Sequence, residues 1–200
     1  MSAPNLWRIE PQRLYNRLGE SIVDYPPALQ SEIFGTDATF PYSDLALVTC
    51  DSPLRYKRAV EKMGYFFRKE TQFGVAGYEV VDCGNHPDTK TRAFLFLDRD
   101  HLEHPQAIGA VCFRWREWED ADHCWALQWV WIHPFARRHG RLQRVWPFFE
   151  AMFGPFYVEA PYSAAMLRFL KRRPPQMVPM PGGEMPLYGV SGGTDDTSPG

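Results

Sequence analysis

The segment from residue 91 to residue 134 constrains the fold most, because it contains three successive runs of β-branched and aromatic residues. The runs cover residues 91–100, 107–115 and 125–134, with a short turn-forming stretch and a polar stretch, REWEDADH, between them. Short runs of this composition separated by turn residues predict antiparallel strands in a meander. We expect REWEDADH to be a polar loop.

Helices are predicted on both sides of this segment. Pro53 is well suited to a first helical position, and the apolar residues of PLRYKRAVEKMGYFFRKE recur on one helical face, after a short strand at 44–49. After Gly140, apolar residues again recur at helical spacing, although Pro147 predicts a kink or a later start. A strand in FYVEAP and a helix opening at Ser163 follow.

The domain organisation follows from where these patterns stop. We expect residues 1–40 to form a leader with one short helix, PQRLYNRLGESI, closed by a turn at 24–27, and residues 41–190 to form a single domain. Its proline- and glycine-rich end, MVPMPGGEMPLYGV, suits a poor hairpin around PGG. Residues 191–200 have the composition of a flexible tail.

Composition restricts the classes of function. A formal net charge of −2 over 200 residues gives no global attraction to nucleic acid or an anionic membrane, and no segment is long and apolar enough to cross a bilayer. The four cysteines, Cys50, Cys83, Cys112 and Cys124, are widely spaced. We interpret them as reduced thiols of a cytoplasmic protein.

The most informative short motif is ARRHGR, between the third predicted strand and its helix. Arg137, Arg138 and Arg141 surround Gly140, whose lack of a side chain lets a bound group approach the backbone. A helix start presents unpaired N–H groups and the positive end of the helix dipole, so the motif suits a phosphate. A solvated cationic turn remains the alternative.

In this context the motif resembles that of the GCN5-related N-acetyltransferase (GNAT) superfamily. The family pattern is Arg or Gln, two residues, Gly, one residue, then Gly or Ala, and Arg137, Gly140 and Leu142 occupy its three positions. The resemblance covers about residues 91–173. It implies an α/β (α+β) fold with a mixed, mostly antiparallel sheet flanked by helices, and an acyl-CoA cleft where two strands splay apart.

The resemblance also implies an activity and a set of binding residues. The chain would transfer acetyl from acetyl-CoA to a primary amine; the alternative is a non-catalytic protein of the same fold that binds coenzyme A or a protein partner. The pyrophosphate would contact Arg137, Arg138, His139, Gly140, Arg141 and Leu142, and the pantetheine arm would pair with Trp129, Val130, Trp131 and Ile132. Leu142 departs from the pattern, because the family has glycine or alanine there.

A narrower similarity is to the cohesin-type acetyltransferases. They share a Trp-Val strand, a double arginine and a proline-containing segment before the last helix, and WVWIHPFARRHGRLQRVW and VEAPYSAAMLRFL resemble these features. The zinc finger common in that family is not evident. The similarity therefore indicates subgroup geometry and does not identify a cohesin substrate.

Acyl transfer to an amine needs a group that removes the ammonium proton. Glu159, at the end of the strand in FYVEAP, is the first candidate, and His133 is a weaker one. Four further acids at the rim are alternatives acting through water: Glu117, Glu119, Asp120 and Asp122. These acids could also attract a cationic amine.

The departing thiolate should also gain a proton. The family often has a tyrosine on the last helix for this, but the corresponding residue here is Leu170, so Tyr162 or Ser163 would have to substitute. No metal is predicted, since Cys83 and His86, His101 and His104, and His123 and Cys124 form no matched tetrahedral set. The acceptor would be a small-molecule amine or a protein lysine or N-terminus, without nucleic acid or membrane; a homodimer is left open.

Overall fold

The computed structural model describes residues 23–24, 44–72, 78, 90–98, 106–118, 121–160, 162–180 and 183–189. The strands are β1 (Val23–Asp24), β2 (Leu45–Val48), β3 (Thr91–Asp98), β4 (Gln106–Trp118), β5 (Ala121–Ile132), β6 (Phe156–Val158), β7 (Gln176–Met180) and β8 (Gly183–Tyr188). The α-helices are α1 (Leu54–Thr71), α2 (Arg141–Phe153) and α3 (Ala164–Leu170), and a short 3₁₀ helix covers Pro134–Ala136. None of these helices is long and apolar enough to cross a membrane.

The strands form one mixed sheet in the order β2-β3-β4-β5-β6-β8-β7, with β1 paired to β4. Strands β5 and β6 are parallel, and every other described pairing is antiparallel. The parallel pair arises because α2 connects β5 to β6 as a crossover. The predicted mixed, mostly antiparallel sheet flanked by helices is therefore confirmed.

Each face of the sheet carries its own apolar core. On one face, Tyr56, Val60 and Met63 of α1 pack against β3, β4 and β5, including Trp129 and Trp131. On the other face, α2 and α3 cover a core rich in aromatic rings: Phe94, Phe113, Trp146, Phe149 and Phe156. Because side chains alternate along a strand, neighbouring residues of β4 belong to different cores.

The two longest strands approach each other closely at Gly109. A Cβ atom there would lie 2.6 Å from the carbonyl oxygen of Trp131 and 2.9 Å from the Cα of Ile132. Both contacts are with backbone, which cannot rotate away. Glycine is therefore required at this position for β4 to reach the last residues of β5.

The polar loop predicted at REWEDADH is wrong. Strand β4 continues to Trp118 and β5 begins at Ala121, and these two residues pair with each other. The segment is the tip of a hairpin, where Glu117 and His123 are exposed. Polar residues at an exposed hairpin end have the composition of a loop, so composition alone did not separate the two.

Helix α2 starts at Arg141 and continues through Pro147, so the predicted alternative of a later start is wrong. Pro147 is exposed to solvent. The carbonyl that loses its helical partner at this proline belongs to Gln143, which is also exposed. Water at this surface can replace the missing bond.

The predicted C-terminal hairpin is confirmed as β7 and β8, and β8 additionally pairs with β6. Asp24, expected in a turn, lies in β1 opposite Gln106. The predicted helix in PQRLYNRLGESI and the tail at 191–200 lie outside the described residues.

Candidate functional site

The parallel strands β5 and β6 separate after three paired residues. The last contact is the bond that the Glu159 N–H donates to the carbonyl oxygen of Leu127, at 2.9 Å. From there β5 continues to Ile132, and the described part of the chain has no strand along that side of it. The register with β4 also changes here, because Cys112 pairs with Trp129 but Phe113 pairs with Leu127. Gln128 is thus an extra residue in β5, as in a β-bulge.

A cleft of about 660 Å³ opens at the unpaired end of β5. It lies among the end of β5, the end of α1, the start of α2 and one side of α3. Its lining includes Val130, Trp131, Ile132, Phe67, Glu70, Thr71, Arg137, Arg138, Gly140, Arg141, Leu142, Gln143, Ser163, Met166, Arg168 and Phe169. The structure therefore brings the residues of the ARRHGR motif other than His139 together with three of the four β5 residues expected to pair with pantetheine.

The start of α2 has the properties of an anion site. Gly140 precedes the helix with φ 69° and ψ 9°, and no side chain caps the first turn. The first N–H groups of a helix have no partner within it, so they remain available to a ligand. A Cβ at Gly140 would meet nothing within 4 Å, which shows open space beside the backbone. A phosphate fits this arrangement.

Arg137 is held by the protein itself. Its Nη1 and Nη2 each donate to one carboxylate oxygen of Glu70 at 2.6 Å, and its Nε donates to the Ile132 carbonyl oxygen at 2.7 Å. Trp131 Nε1 donates to the same Glu70 carboxylate at 2.8 Å. The guanidinium that occupies the first motif position thus links the turn after β5 to the end of α1.

The other two arginines of the motif, Arg138 and Arg141, make weaker contacts with the described residues than Arg137 does. Arg138 has a left-handed backbone with φ 66°, is exposed, and makes no ion pair with a described residue. The Arg141 guanidinium lies 3.5 Å from Asp44 and 4.0 Å from Asp98, and its buried Nε has no hydrogen-bond partner among the described residues. A buried donor without an acceptor is uncommon. Both side chains line the cleft beside the start of α2.

Leu142 is accommodated without closing the cleft. Its side chain is partly buried and packs against the core between α2 and the sheet, while the residue also lines the cleft. Leu142 stands where the family pattern has glycine or alanine, and its side chain lies partly against the core and partly along the cleft. His139, the remaining motif residue, is exposed and does not line the cleft.

The opposite wall is formed by α3. Ser163 Oγ accepts a hydrogen bond from the Met166 N–H at 3.1 Å and caps this helix. The hydroxyl therefore has a structural role. Arg168, which belongs to none of the motifs described above, is exposed and lines the cleft beside Met166 and Phe169. The helical spacing of Ala165, Arg168 and Phe169 in SAAMLRFL was the signal that could have identified this wall.

Glu159 lies where the strands separate but does not line the cleft. Its Oε1 accepts a bond from Arg116 Nε at 2.6 Å. The side chains of Arg116 and Glu159 are 35% and 22% exposed, so solvent reaches both. The carboxylate is accessible at the end of the gap, in an ion pair with an arginine.

Tyr162 is oriented away from a proton-transfer role. Its hydroxyl donates to the Val158 carbonyl oxygen at 3.0 Å, and Tyr162 does not line the cleft. Burial, together with nearby Tyr157 and Tyr188, raises the pKa of Tyr162 to about 12. A phenol with this pKa is a weak acid towards a thiolate, whose ordinary pKa is about 8.5. Leu170 is buried in the core and supplies no acid either.

Of the other candidate groups, the structure describes His133 and Glu117, and neither lines the cleft. His133 is buried, and its backbone N–H donates to the Ile108 carbonyl oxygen at 2.7 Å. Glu117 pairs with Lys90 at 2.8 Å, and this contact lowers the pKa of the exposed carboxyl. Glu119 and Asp120, the Asp122 side chain, Cys83, His86, His101 and His104 fall outside what the structure describes. Within its described part, the chain holds no group of three metal-ligating residues.

Comparison with known proteins finds similarity at the level of structure. No family model and no curated protein sequence matches the chain. Among similar solved structures, the xEco2 acetyltransferase domain bound to a CoA conjugate is 12% identical, with 65% of this chain and 87% of that chain covered and a TM-score of 0.45. Tetrahymena GCN5 is 14% identical, with 72% and 94% covered and a TM-score of 0.47.

A third similar structure is an aminoglycoside acetyltransferase from an uncultured soil metagenomic sample, in complex with sisomicin. It is 11% identical, with 64% of this chain and 84% of that chain covered and a TM-score of 0.45. These similarities concern the fold, a mixed and mostly antiparallel sheet in which α2 crosses over between the parallel strands β5 and β6.

Proposed function

We propose that the protein is an acyl-CoA-dependent N-acyltransferase that transfers acetyl from acetyl-CoA to a primary amine. The observation that carries the proposal is the uncapped start of α2, which opens into a cleft beside the unpaired end of β5. The open space at Gly140 and the unpartnered Nε of Arg141 both suit a pyrophosphate. Residues Trp129–Ile132 would present their backbone to the pantetheine arm.

The bound donor would supply a thioester, and this chain would supply position and proton acceptance. Arg138 and Arg141, with the first N–H groups of α2, would hold the phosphates. Glu159, reached from the solvent at the end of the gap, would accept the amine proton directly or through water. Because Tyr162 and Ser163 have structural hydrogen bonds, solvent would protonate the thiolate.

One observation favours the alternative of a non-catalytic member of this fold. Arg137, the first motif residue, uses three of its N–H donors on Glu70 and Ile132, and its charge is paired with the Glu70 carboxylate. Such a protein would bind coenzyme A or a protein partner without turnover.

The thiols of the described cysteines support a reducing, cytoplasmic location for either function.

Calorimetric titration with CoA, acetyl-CoA and pantetheine tests the binding step. We expect both nucleotides to bind and pantetheine, which lacks the phosphates, to bind at least about tenfold more weakly. Arg138→Glu should weaken CoA by a similar factor, whereas the control Arg58→Glu, an exposed arginine of α1 outside the cleft, should not. Equal binding of CoA and pantetheine would contradict the phosphate site.

Release of CoA thiol in the presence of a broad amine panel tests the chemistry. Turnover that falls in Glu159→Gln while CoA binding is retained would support catalysis. Tight CoA binding without thiol release for any amine would favour the non-catalytic alternative.

A further inference from the structure

Strand β4 directs two arginines to the face of the sheet that α1 covers. Cys112 belongs to the core under α1, and Phe113 belongs to the core under α2 and α3. Because alternate side chains share a face, Arg114 and Arg116 lie on the α1 face with Cys112. They lie beyond the part of the sheet where the described α1 residues pack.

Glu159 reaches this same face, as its 2.6 Å contact with Arg116 shows. Only its Oε1 is used; Oε2 makes no hydrogen bond with any described residue. The carboxylate therefore keeps one oxygen for an incoming amine, and Arg116 keeps the two terminal nitrogens of its guanidinium.

Arg114 has no counter-charge in the described part of the chain. Its side chain is partly buried, and no hydrogen bond or ion pair to a described residue involves it. Its cross-strand neighbours are Thr91 and Ala126, neither of which is charged. Together Arg114, Arg116 and Glu159 carry two positive charges and one negative charge.

Trp129 provides a second unsatisfied donor on this face. It pairs with Cys112 and is 3% exposed, yet its Nε1 has no hydrogen-bond partner among the described residues. Buried donors in native structures nearly always have an acceptor. The Trp129 N–H is buried under α1 and out of reach of a ligand, so the partly exposed Arg114, without a counter-charge among the described residues, is the group on this face that can bind an anion.

These observations identify the chemical class of the acceptor, given the proposed acyl transfer. We propose that the acceptor is an aminocarboxylate of the amino acid class. Its carboxylate binds to Arg114 and the terminal nitrogens of Arg116, which match a carboxylate in geometry. Its amine approaches Glu159 Oε2. A polyamine is disfavoured, because this face already has a positive excess.

The reaction balances without a further reactant. The ammonium loses a proton to Glu159 or to water, and the amine nitrogen forms a bond to the thioester carbonyl carbon. The carbon–sulfur bond breaks, and the CoA thiolate takes up a proton from solvent. The products are the N-acetylated aminocarboxylate and CoA.

Paired acceptors test the proposal directly. Phenylalanine and phenethylamine, leucine and isoamylamine, and histidine and histamine differ only in the α-carboxylate. With acetyl-CoA and thiol release as the readout, we expect kcat/KM to be at least about tenfold higher for the best amino acid than for its decarboxylated partner. Equal or higher kcat/KM for all three amines would overturn the proposal.

Substitution of Arg114 separates recognition from folding. Arg114→Gln should raise KM for the amino acid and remove most of its preference over the matched amine, without changing KM for acetyl-CoA. Arg114→Lys should recover part of the preference. Arg92→Gln, on the neighbouring strand but on the opposite face, is the matched control and should leave the preference intact.

Direct binding distinguishes failure of this proposal from failure of the proposed function. Calorimetric titration of phenylalanine, leucine and histidine against the full chain needs no acetyl-CoA. Binding that Arg114→Gln abolishes would support the aminocarboxylate site even if no thiol release occurred with any amine. If none of the three binds better than its decarboxylated partner, and none is turned over preferentially, the proposal is wrong whatever coenzyme A does.

Discussion

Arg137 and Glu70 form a bidentate ion pair with both N···O distances at 2.6 Å, across 67 residues of sequence. The pair fastens the end of α1 to the turn that precedes α2. It also neutralises, at the rim of the cleft, the first arginine of the ARRHGR motif. The folded chain thus uses this arginine to hold the turn before α2 in place, which is the phosphate cradle of the proposed function.

Removal of Glu70 should therefore have opposite effects on stability and on ligand binding. Glu70→Ala is expected to lower the free energy of unfolding by about 1 kcal/mol, because the half-exposed pair and the bond from Trp131 are lost. CoA should bind severalfold tighter, because Arg137 is released beside the cleft. Urea unfolding and calorimetry measure the two effects; Glu184→Ala, an exposed acid on β8, is the control. Weaker CoA binding in Glu70→Ala would contradict this account.

Two glycines at opposite ends of α2 form a matched pair for testing the cradle. Gly140 and Gly154 have φ values of 69° and 63°, and a Cβ at either meets nothing within 4 Å. Alanine should cost about 1–2 kcal/mol of stability at Gly140 through backbone strain, and more at Gly154, whose φ of 63° and ψ of −148° lie in a region that only glycine readily adopts. Only Gly140→Ala should also weaken CoA, since its Cβ occupies the open space at the helix start. Equal CoA affinity in both variants would place the phosphates elsewhere.

Ser163 should prove to be a helix cap. Ser163→Ala is expected to lower the free energy of unfolding by about 1 kcal/mol, because the Met166 N–H loses its acceptor. Ser163→Asp should restore that stability, and any turnover should follow CoA affinity in both variants. A large loss of kcat in Ser163→Asp with CoA affinity unchanged would instead assign the hydroxyl a catalytic role.

Tyr162 should make the folded state less stable at alkaline pH. Its pKa is raised from 10.0 to about 12, mainly by burial, so the unfolded chain loses this proton first. Between these pH values the unfolded state binds fewer protons, and the free energy of unfolding falls as pH rises. In urea titrations, Tyr162→Phe should reduce the loss of unfolding free energy with rising pH. Tyr65→Phe, a change at an exposed tyrosine of α1, should not. An unchanged alkaline slope in Tyr162→Phe would show that other groups cause it.

Most strands and helices, and the glycine turn before α2, were predictable because their signals are local. Hydrophobic periodicity and the strand–glycine–helix order are properties of short segments, and the structure confirms them for α1, β3 and α2. The hairpin tip at Trp118 and Ala121 escaped prediction because its polar residues match a loop.

The partners of the site residues could not be predicted in the same way. Glu70 and Arg137, or Arg116 and Glu159, are brought together only when α1 and β6 take their places beside β5. Ion pairs of this kind depend on tertiary packing. The local sequence around Arg137 does not show whether its guanidinium binds a phosphate or pairs with an acid of the same chain.

Because of the extra residue at Gln128, the gap beside β5 forms when the protein folds, before any ligand binds. The change of register is a feature of the β4–β5 pairing, which exists whether or not a ligand is present. The divergence of β5 from β6 is therefore included in the free energy of folding, and a ligand need not pull the sheet apart. Association with such a preformed gap should follow a single kinetic phase, with a rate proportional to ligand concentration.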